Sequence, residues 1–357
     1  MCCWFAPSTL RITFETQGMG AFTQAELDRY VVRDAAGTPV ALDLPTQFVL
    51  IANHQVRLHA PSMCHAHPPQ VYLDWWYAWC LTYFMSPHGV HRYVYITLKK
   101  SLRWVPVVGW GMQFFKFIFL ARSWASDRRQ LAVDLASLGR EAEREGKPLC
   151  FILYPEGTLV SKDTRPRSKK YADKIGISDM KHILLPRSTG LHYSLRALAP
   201  RIPDLRLLDL TVAYPGIPPM GYGQDYYTLR SVFFDGVAPP AIHMHLRMFD
   251  VKTGVPIGDL AGAGAGGVSE SDRRPRRVVE VDIPGAEKDV FDLWLRKLWQ
   301  EKDDGMERFC ATGALAPKAE APVVEIPLAL RRRREVLDAF AFFWPAGVAY
   351  LWGRIRG

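Results

Sequence analysis

Two stretches of this chain concentrate residues able to do chemistry. The first reads ANHQVRLHAPSMCHAHPPQVYLDWWY, from Ala52 to Tyr77. It opens on an Asn-His pair closing an apolar run and ends on an Asp that leads an aromatic run. Between them, residues 56–70 hold three His, one Cys and three Pro. His59, Cys64, His65 and His67 are metal-ligating types. Their spacing matches no zinc pattern, and adjacent Cys64 and His65 fit poorly into one tetrahedral site, so no metal is expected. The second stretch is LYPEGTLVS, Leu153 to Ser161. An apolar run ends at Tyr154-Pro155, and Glu156-Gly157-Thr158 follow at the edge where α/β sheets bind ligands. Gly157 would let backbone N–H groups approach a phosphate, and the Thr158 hydroxyl would add a donor. A plain turn would use the same residues, and the motif alone does not choose.

Without Val56–Gln70 the first stretch reads VLIANHQVYLDWWYAW, which is Asn-His, four residues, then Asp. This resembles the NHx4D box of the glycerolipid acyltransferases, and the resemblance extends along most of the chain. FKFIFLAR (115–122) is similar to that family's second motif, which ends in a phosphate-binding Arg, here Arg122. YPEGTLVS is similar to the third motif, and LLPRSTGL (184–191), with Pro186, to the fourth. The wording is closest to the eukaryotic branch acting on lysophosphatidic acid, lysocardiolipin and lysophosphatidylinositol. Two departures stand out. Lys116 occupies a position where the family commonly has a small residue, and Leu159 follows Glu-Gly-Thr where the bacterial-type pattern has Arg.

The resemblance implies an acyl-CoA-dependent O-acyltransferase acting on lysophosphatidic acid or a lysophospholipid, with no cofactor besides the acyl-CoA co-substrate. It implies His54 as general base and Asp74 as the carboxylate that fixes its tautomer. Arg122, Glu156, Gly157, Thr158 and Pro186 would place the acceptor and its phosphate, Arg122 by charge-assisted hydrogen bonds. Glu156 is itself anionic, so organising donors or meeting the glycerol suits it better than touching phosphate. It further implies a membrane location, at the endoplasmic reticulum, with the catalytic part at the membrane surface.

Residues 56–70 are read as translated intron. The stretch begins Val-Arg, whose codons can start GT, and ends in Gln, which can be CAG. A lineage-specific loop is the competing reading. In either case the His54–Asp74 tether lengthens from five residues to twenty, and a split box raises the alternative of a catalytically impaired membrane- or lipid-binding protein.

The elements that must carry these residues are legible in outline. QFVLIAN (47–53), RYVYIT (92–97), FKFIFLA (115–121), PLCFILYP (148–155), LRLLDLTVAY (205–214) and AIHMHLRMFDV (241–251) read as strands. Between the third and fourth lies a helix capped at Ser126, with Leu131, Leu135 and Leu138 on one face and Gly146 as its stop. A second amphipathic helix covers about Ala286–Lys302. Alternation of this kind predicts a mixed α/β fold, a largely parallel sheet flanked by helices. The apolar segment 104–121 holds Pro106, Gly109, Gly111 and Lys116, and is read as a buried turn feeding a strand rather than a membrane span.

The chain divides into a lead-in at 1–46 and a catalytic part at 47–235. An extension follows at 236–330, with a Gly/Ala/Ser-rich disordered loop at about 254–277, and then a basic and aromatic segment at 331–357. The membrane segment usual before the first motif is mostly absent, so a fragment is suspected. The last segment's apolar run, Ala339 to Gly353, is short for a bilayer span and is read as helical and membrane-associated. Net charge is +9, with eleven Trp and eighteen Phe. That combination favours anionic lipid over nucleic acid, for which no binding signature is present. Six scattered Cys argue against a secreted disulfide framework and for a reducing compartment, or a domain facing one.

Overall fold

The strand that delivers His54 lies at the centre of the molecule. The computed structural model describes residues 7–54, 74–85, 89–105, 108–121, 123–217, 226–227, 231–232, 235–260, 283–317, 323–337 and 354. Within it the apolar run before His54 is β4 (Gln47–Ala52), between parallel neighbours β7 (Leu149–Leu153) and β8 (Arg206–Ala213). Burial on both faces accounts for its unbroken apolar sequence. Alternation divides its side chains: Phe48, Leu50 and Ala52 enter one core, Val49 and Ile51 the other.

Five further strands complete the sheet: β1 (Thr9–Phe14), β5 (Val94–Lys99), β6 (Ile118–Leu120), β9 (Ala241–Asp250) and β10 (Val323–Pro327). The order is β10-β1-β9-β8-β4-β7-β5-β6. The pairs β8–β9 and β1–β10 are antiparallel and the other neighbours are parallel. A short antiparallel pair, β2 (Val31–Arg33) and β3 (Pro39–Leu42), follows helix α1 (Gln24–Tyr30), whose Thr23 and Glu26 form a capping box. On one face of the sheet α2 (Asp74–Phe84) buries Tyr77, Ala78, Leu81 and Phe84 against the Leu50 side of β4. On the other lie α4 (Trp124–Glu145), α5 (Arg165–Ile175), α6 (Ser188–Leu198) and α7 (Gly285–Thr312), with α4 packed on α6 and α6 on α7. The fold is therefore mixed α/β with a largely parallel sheet flanked by helices.

Several local expectations need correction. The first helix is capped three residues earlier than predicted: α4 starts at Trp124 after Ser123. Asp127, in the first turn, reaches back to accept the N–H groups of Ala121 and Ser123 at 2.8 and 3.0 Å and fixes the chain's entry to the helix. Gly146 does end it, at φ +57°. The second helix runs ten residues past Lys302 to Thr312, because Met306 and Phe309 continue its buried stripe. Strands β1 and β10 join the sheet in addition to the strands expected.

Segment 104–121 is not a buried turn. It forms α3 (Val108–Phe114), then a turn and β6, and Trp104, Trp110, Phe114 and Phe115 are exposed. Among the described residues Lys116 alone combines a side chain with positive φ, at 54°. Its N–H bonds to Gln113 O and that of Phe117 to Met112 O, the pattern of a left-handed helix stop that usually takes glycine. A glycine there would adopt the same backbone without strain.

The loop expected at about 254–277 is described only as far as Leu260. There Ile257 is buried, and its carbonyl accepts hydrogen bonds from His192 and Arg196. Residues 56–70 and 338–353 lie outside the described residues, so the insert and the apolar part of the C-terminal segment are not placed. Arg331–Leu337 are described, and they meet α2: the Arg331 N–H donates to the Tyr83 hydroxyl at 2.9 Å, and that hydroxyl bonds Glu335. Among the described residues no helix is long and apolar enough to cross a membrane.

Candidate active site

His54 and Asp74 come together. His54 follows the C-terminal end of β4, and Asp74 is the first residue of α2; Nδ1 of the imidazole lies 3.1 Å from Asp74 Oδ2. The twenty-residue tether does not separate them. Asp74 Oδ1 accepts a hydrogen bond from the Tyr214 hydroxyl at 2.8 Å, so both carboxylate oxygens are held. Burial first, and then the Asp74 charge, holds the Tyr214 phenol well above its usual range, which keeps it a donor. The imidazole stacks on Tyr154, with centroids 3.7 Å apart and planes 11° from parallel. Asn53 fixes the strand end itself. Its amide bonds Val212 O and accepts from Val212 N–H at 3.0 and 2.8 Å, continuing the β4–β8 ladder by a side chain.

The third motif is a tight turn. The Gly157 N–H bonds Tyr154 O at 2.9 Å with Pro155 at the first corner. Gly157 sits at φ +66°, where any other residue is strained. Glu156 points inward and is 2% exposed. Its carboxyl accepts the backbone N–H of His54 at 3.2 Å and that of Leu184 at 3.4 Å, tying three motifs to one side chain. Burial pushes it up to about 8, with the two accepted N–H bonds pulling the other way. It meets donors within the protein and holds the end of β4 at His54. Pro186 is buried, and the neighbouring Arg187 N–H bonds Pro155 O at 2.8 Å, fastening the fourth motif to the third.

Helix α7 braces this from behind. Asp303 accepts three consecutive N–H groups, Lys181, His182 and Ile183, at 2.8, 2.7 and 3.0 Å. Lys302, fully buried, pairs with Asp209 at 2.6 Å and donates to Leu210 O at 2.8 Å. Tyr214, Asp303 and Lys302 were not found by sequence reasoning. Tyr214 closes an apolar strand and looks like core, while the two charges look like the solvent face of a helix.

In front lies a cavity of about 750 Å³, lined by His54, Trp75, Lys99, Trp124, Tyr154 and the Glu156-Gly157-Thr158 turn, with Arg167 and Arg187 on another side. Among the described residues neither arginine side chain has a hydrogen-bond or ion-pair partner. Arg122, expected beside them, lies outside the described residues. Every lining strand delivers its residues from its C-terminal end: β4 His54, β7 the turn, β5 Lys99 and β6 Leu120. This is the edge where parallel α/β sheets bind ligands. Among the described residues no cluster of His, Cys, Asp or Glu is arranged to hold a metal ion.

A buried imidazole oriented by a carboxylate thus stands at the C-terminal edge of a parallel sheet, on the wall of the cavity. The family described as Acyltransferase matches residues 41–205. The chain is 34% identical to a 2-acyl-1-lysophosphatidylinositol acyltransferase of Saccharomyces cerevisiae, over 88% of this chain and 72% of that protein. It is 29% identical to lysocardiolipin acyltransferase 1 of Danio rerio, over 78% of this chain and 56% of that protein. It is 26% identical to a probable 1-acyl-sn-glycerol-3-phosphate acyltransferase of Arabidopsis thaliana, over 74% and 54%. No solved structure matches. The chain belongs to the acyltransferase family and is an enzyme of that class.

Proposed function

We propose that the protein transfers a fatty acyl chain from acyl-CoA to a glycerol hydroxyl of lysophosphatidic acid or a lysophospholipid, at a membrane surface and in the endoplasmic reticulum. The names of its relatives support a lysophospholipid acceptor, and the observation that carries the chemistry is the His54–Asp74–Tyr214 chain beside the cavity. Asp74 engages Nδ1, so Nε2 is the nitrogen that takes the proton. The acceptor oxygen attacks the thioester carbonyl carbon as its proton passes to His54. The carbon–sulfur bond then breaks, and the proton leaves with the CoA thiolate. Arg122, Arg187 and Thr158 are assigned to the acceptor's phosphate, and Gly157 to the close approach it needs. Glu156 and Pro186 hold the turn that presents them.

The test is acyl transfer from an acyl-CoA to a panel of lysophospholipids, with the product identified by mass spectrometry. His54→Ala should lower turnover by ~10²–10⁴-fold, the scale of general-base catalysis. Near-normal turnover in that variant would end this mechanism.

A further inference from the structure

Between Asp74 and Asp127 the chain carries no acidic residue over 52 positions, Trp75 to Ser126, where an even spread of the chain's 36 would place about five. The same segment holds six Lys or Arg and fifteen aromatic residues. Burial accounts for many of the rings but not for those on one surface. Trp104 is 75% exposed, Trp110 57%, Phe114 87% and Phe115 54%. They sit on the 3-10 turn Lys100–Trp104, on α3 and on the turn after it, with exposed Lys99, Lys100 and Arg103 beside them.

This surface is preformed. Arg103 Nε donates to Gln113 Oε1 at 2.9 Å, and Gln113 returns a bond to Arg103 O at 3.3 Å. Gly109 lets α3 lie directly on the preceding turn: a Cβ there would stand 2.5 Å from two carbonyl oxygens. The surface is also continuous with the cavity. Trp75, on the cavity wall, lies 6.0 Å from Trp79, centroid to centroid, and Trp79 lies 5.4 Å from exposed Phe115. Lys99 and Leu120 line the cavity at the two ends of the segment that carries the exposed rings.

We propose that the face formed by Trp104, Trp110, Phe114 and Phe115 with Lys100 and Arg103 docks on an anionic lipid bilayer, setting the cavity wall against the lipid. Aromatic rings seek the headgroup boundary, and cations beside them are drawn to anionic lipid. A segment free of carboxylates suits that surface better than it suits a protein partner, whose rim carries both signs. The docking claim stands on this surface alone. Its meaning for catalysis rests on the acyltransferase reading above.

The experiment is flotation of the full chain with phosphatidylcholine vesicles, with and without phosphatidylserine. Serine at Trp104, Trp110, Phe114 and Phe115 together should lower partition to both vesicles by roughly tenfold or more. Lys100→Glu with Arg103→Glu should lower partition to the anionic vesicles alone. Phe114→Trp, a change at the most exposed ring, should raise it. In acyl transfer, the four-serine protein should lose activity on an acceptor embedded in vesicles and keep it on a short-chain acceptor dissolved as monomer. Equal flotation of wild type and the four-serine protein overturns the proposal. So does unchanged flotation with a fall in molecular mass, which assigns the face to a second copy of the chain. Flotation of a wild type that acylates neither acceptor, lost in the four-serine protein, would uphold the docking face and refute the functional reading.

Discussion

Asp74 meets two partners at once, His54 through one oxygen and Tyr214 through the other. Tyr214→Phe removes one hydrogen bond while leaving the ring in the core, so turnover should fall about fivefold, the scale of ~1 kcal/mol, with KM unchanged. Steady-state acyl transfer checks it, and a fall as deep as that of His54→Ala would mean Asp74 had been displaced. Glu156 yields a different signature. Its carboxyl is ordinarily near 4.5 and is pushed up to about 8 by burial. Between those values the unfolded chain has released the proton while the folded one keeps it. Stability contributed by this group therefore falls as pH rises from about 4.5 to about 8, and levels off above. Glu156→Gln cannot ionise, so its melting temperature should lack that decline. It should also start lower in acid, because an amide accepts only one of the two N–H bonds. Melting curves of the two proteins between about pH 5 and about pH 9 isolate the difference. The residues of the first, third and fourth motifs, which the fold brings together, are readable because their types announce chemistry. Tyr214 is not, since a tyrosine ending an apolar strand has the same sequence signature whether or not its hydroxyl meets a carboxylate.

The strands carrying the motifs are equally readable, because burial on both faces writes an unbroken apolar run. For β1 the alternation of Leu10, Ile12 and Phe14 with polar residues is a strand signal, but its partners lie hundreds of residues away. Helix α7 hides its role for a related reason. Lys302 and Asp303 interrupt the apolar stripe, and only the ends of other elements explain why charge is buried there. Asp303→Ala leaves three neighbouring N–H groups without their acceptor, at a cost of about 3 kcal/mol. The stretch it releases leads directly to Leu184, Pro186 and Arg187, so the acceptor KM should rise in step. Asp303→Asn, keeping one acceptor oxygen, should recover part of both. Thermal denaturation and acceptor titration test this together. A KM change without loss of stability would place Asp303's effect outside this brace.

Across the whole molecule, the His54–Asp74 pair forms although twenty residues join them. Removing residues 56–70 shortens the tether to five, and closing the shorter loop is easier by about 1 kcal/mol. Because β4 and α2 are independently packed, the shortened chain should fold and melt close to the original. Its turnover should be higher, since a misplacement of about 1 Å at a reacting group costs ~10²-fold. Equal activity of the two forms would make the extra residues a genuine loop. The sheet order has a consequence of another kind, for the timing of assembly. Strand β1 is made first, yet it pairs on one side with residues 241–246 and on the other with 323–327. Strands β4 to β8 can gather as they leave the ribosome, but β8 keeps an open edge until β9 arrives, and β1 waits longer still. Asp303, which steadies the fourth motif, is synthesised more than a hundred residues after it. Nascent chains of this protein therefore expose apolar strand edges until residues 241–250 and 323–327 emerge, and the fourth motif is steadied only after Asp303 does.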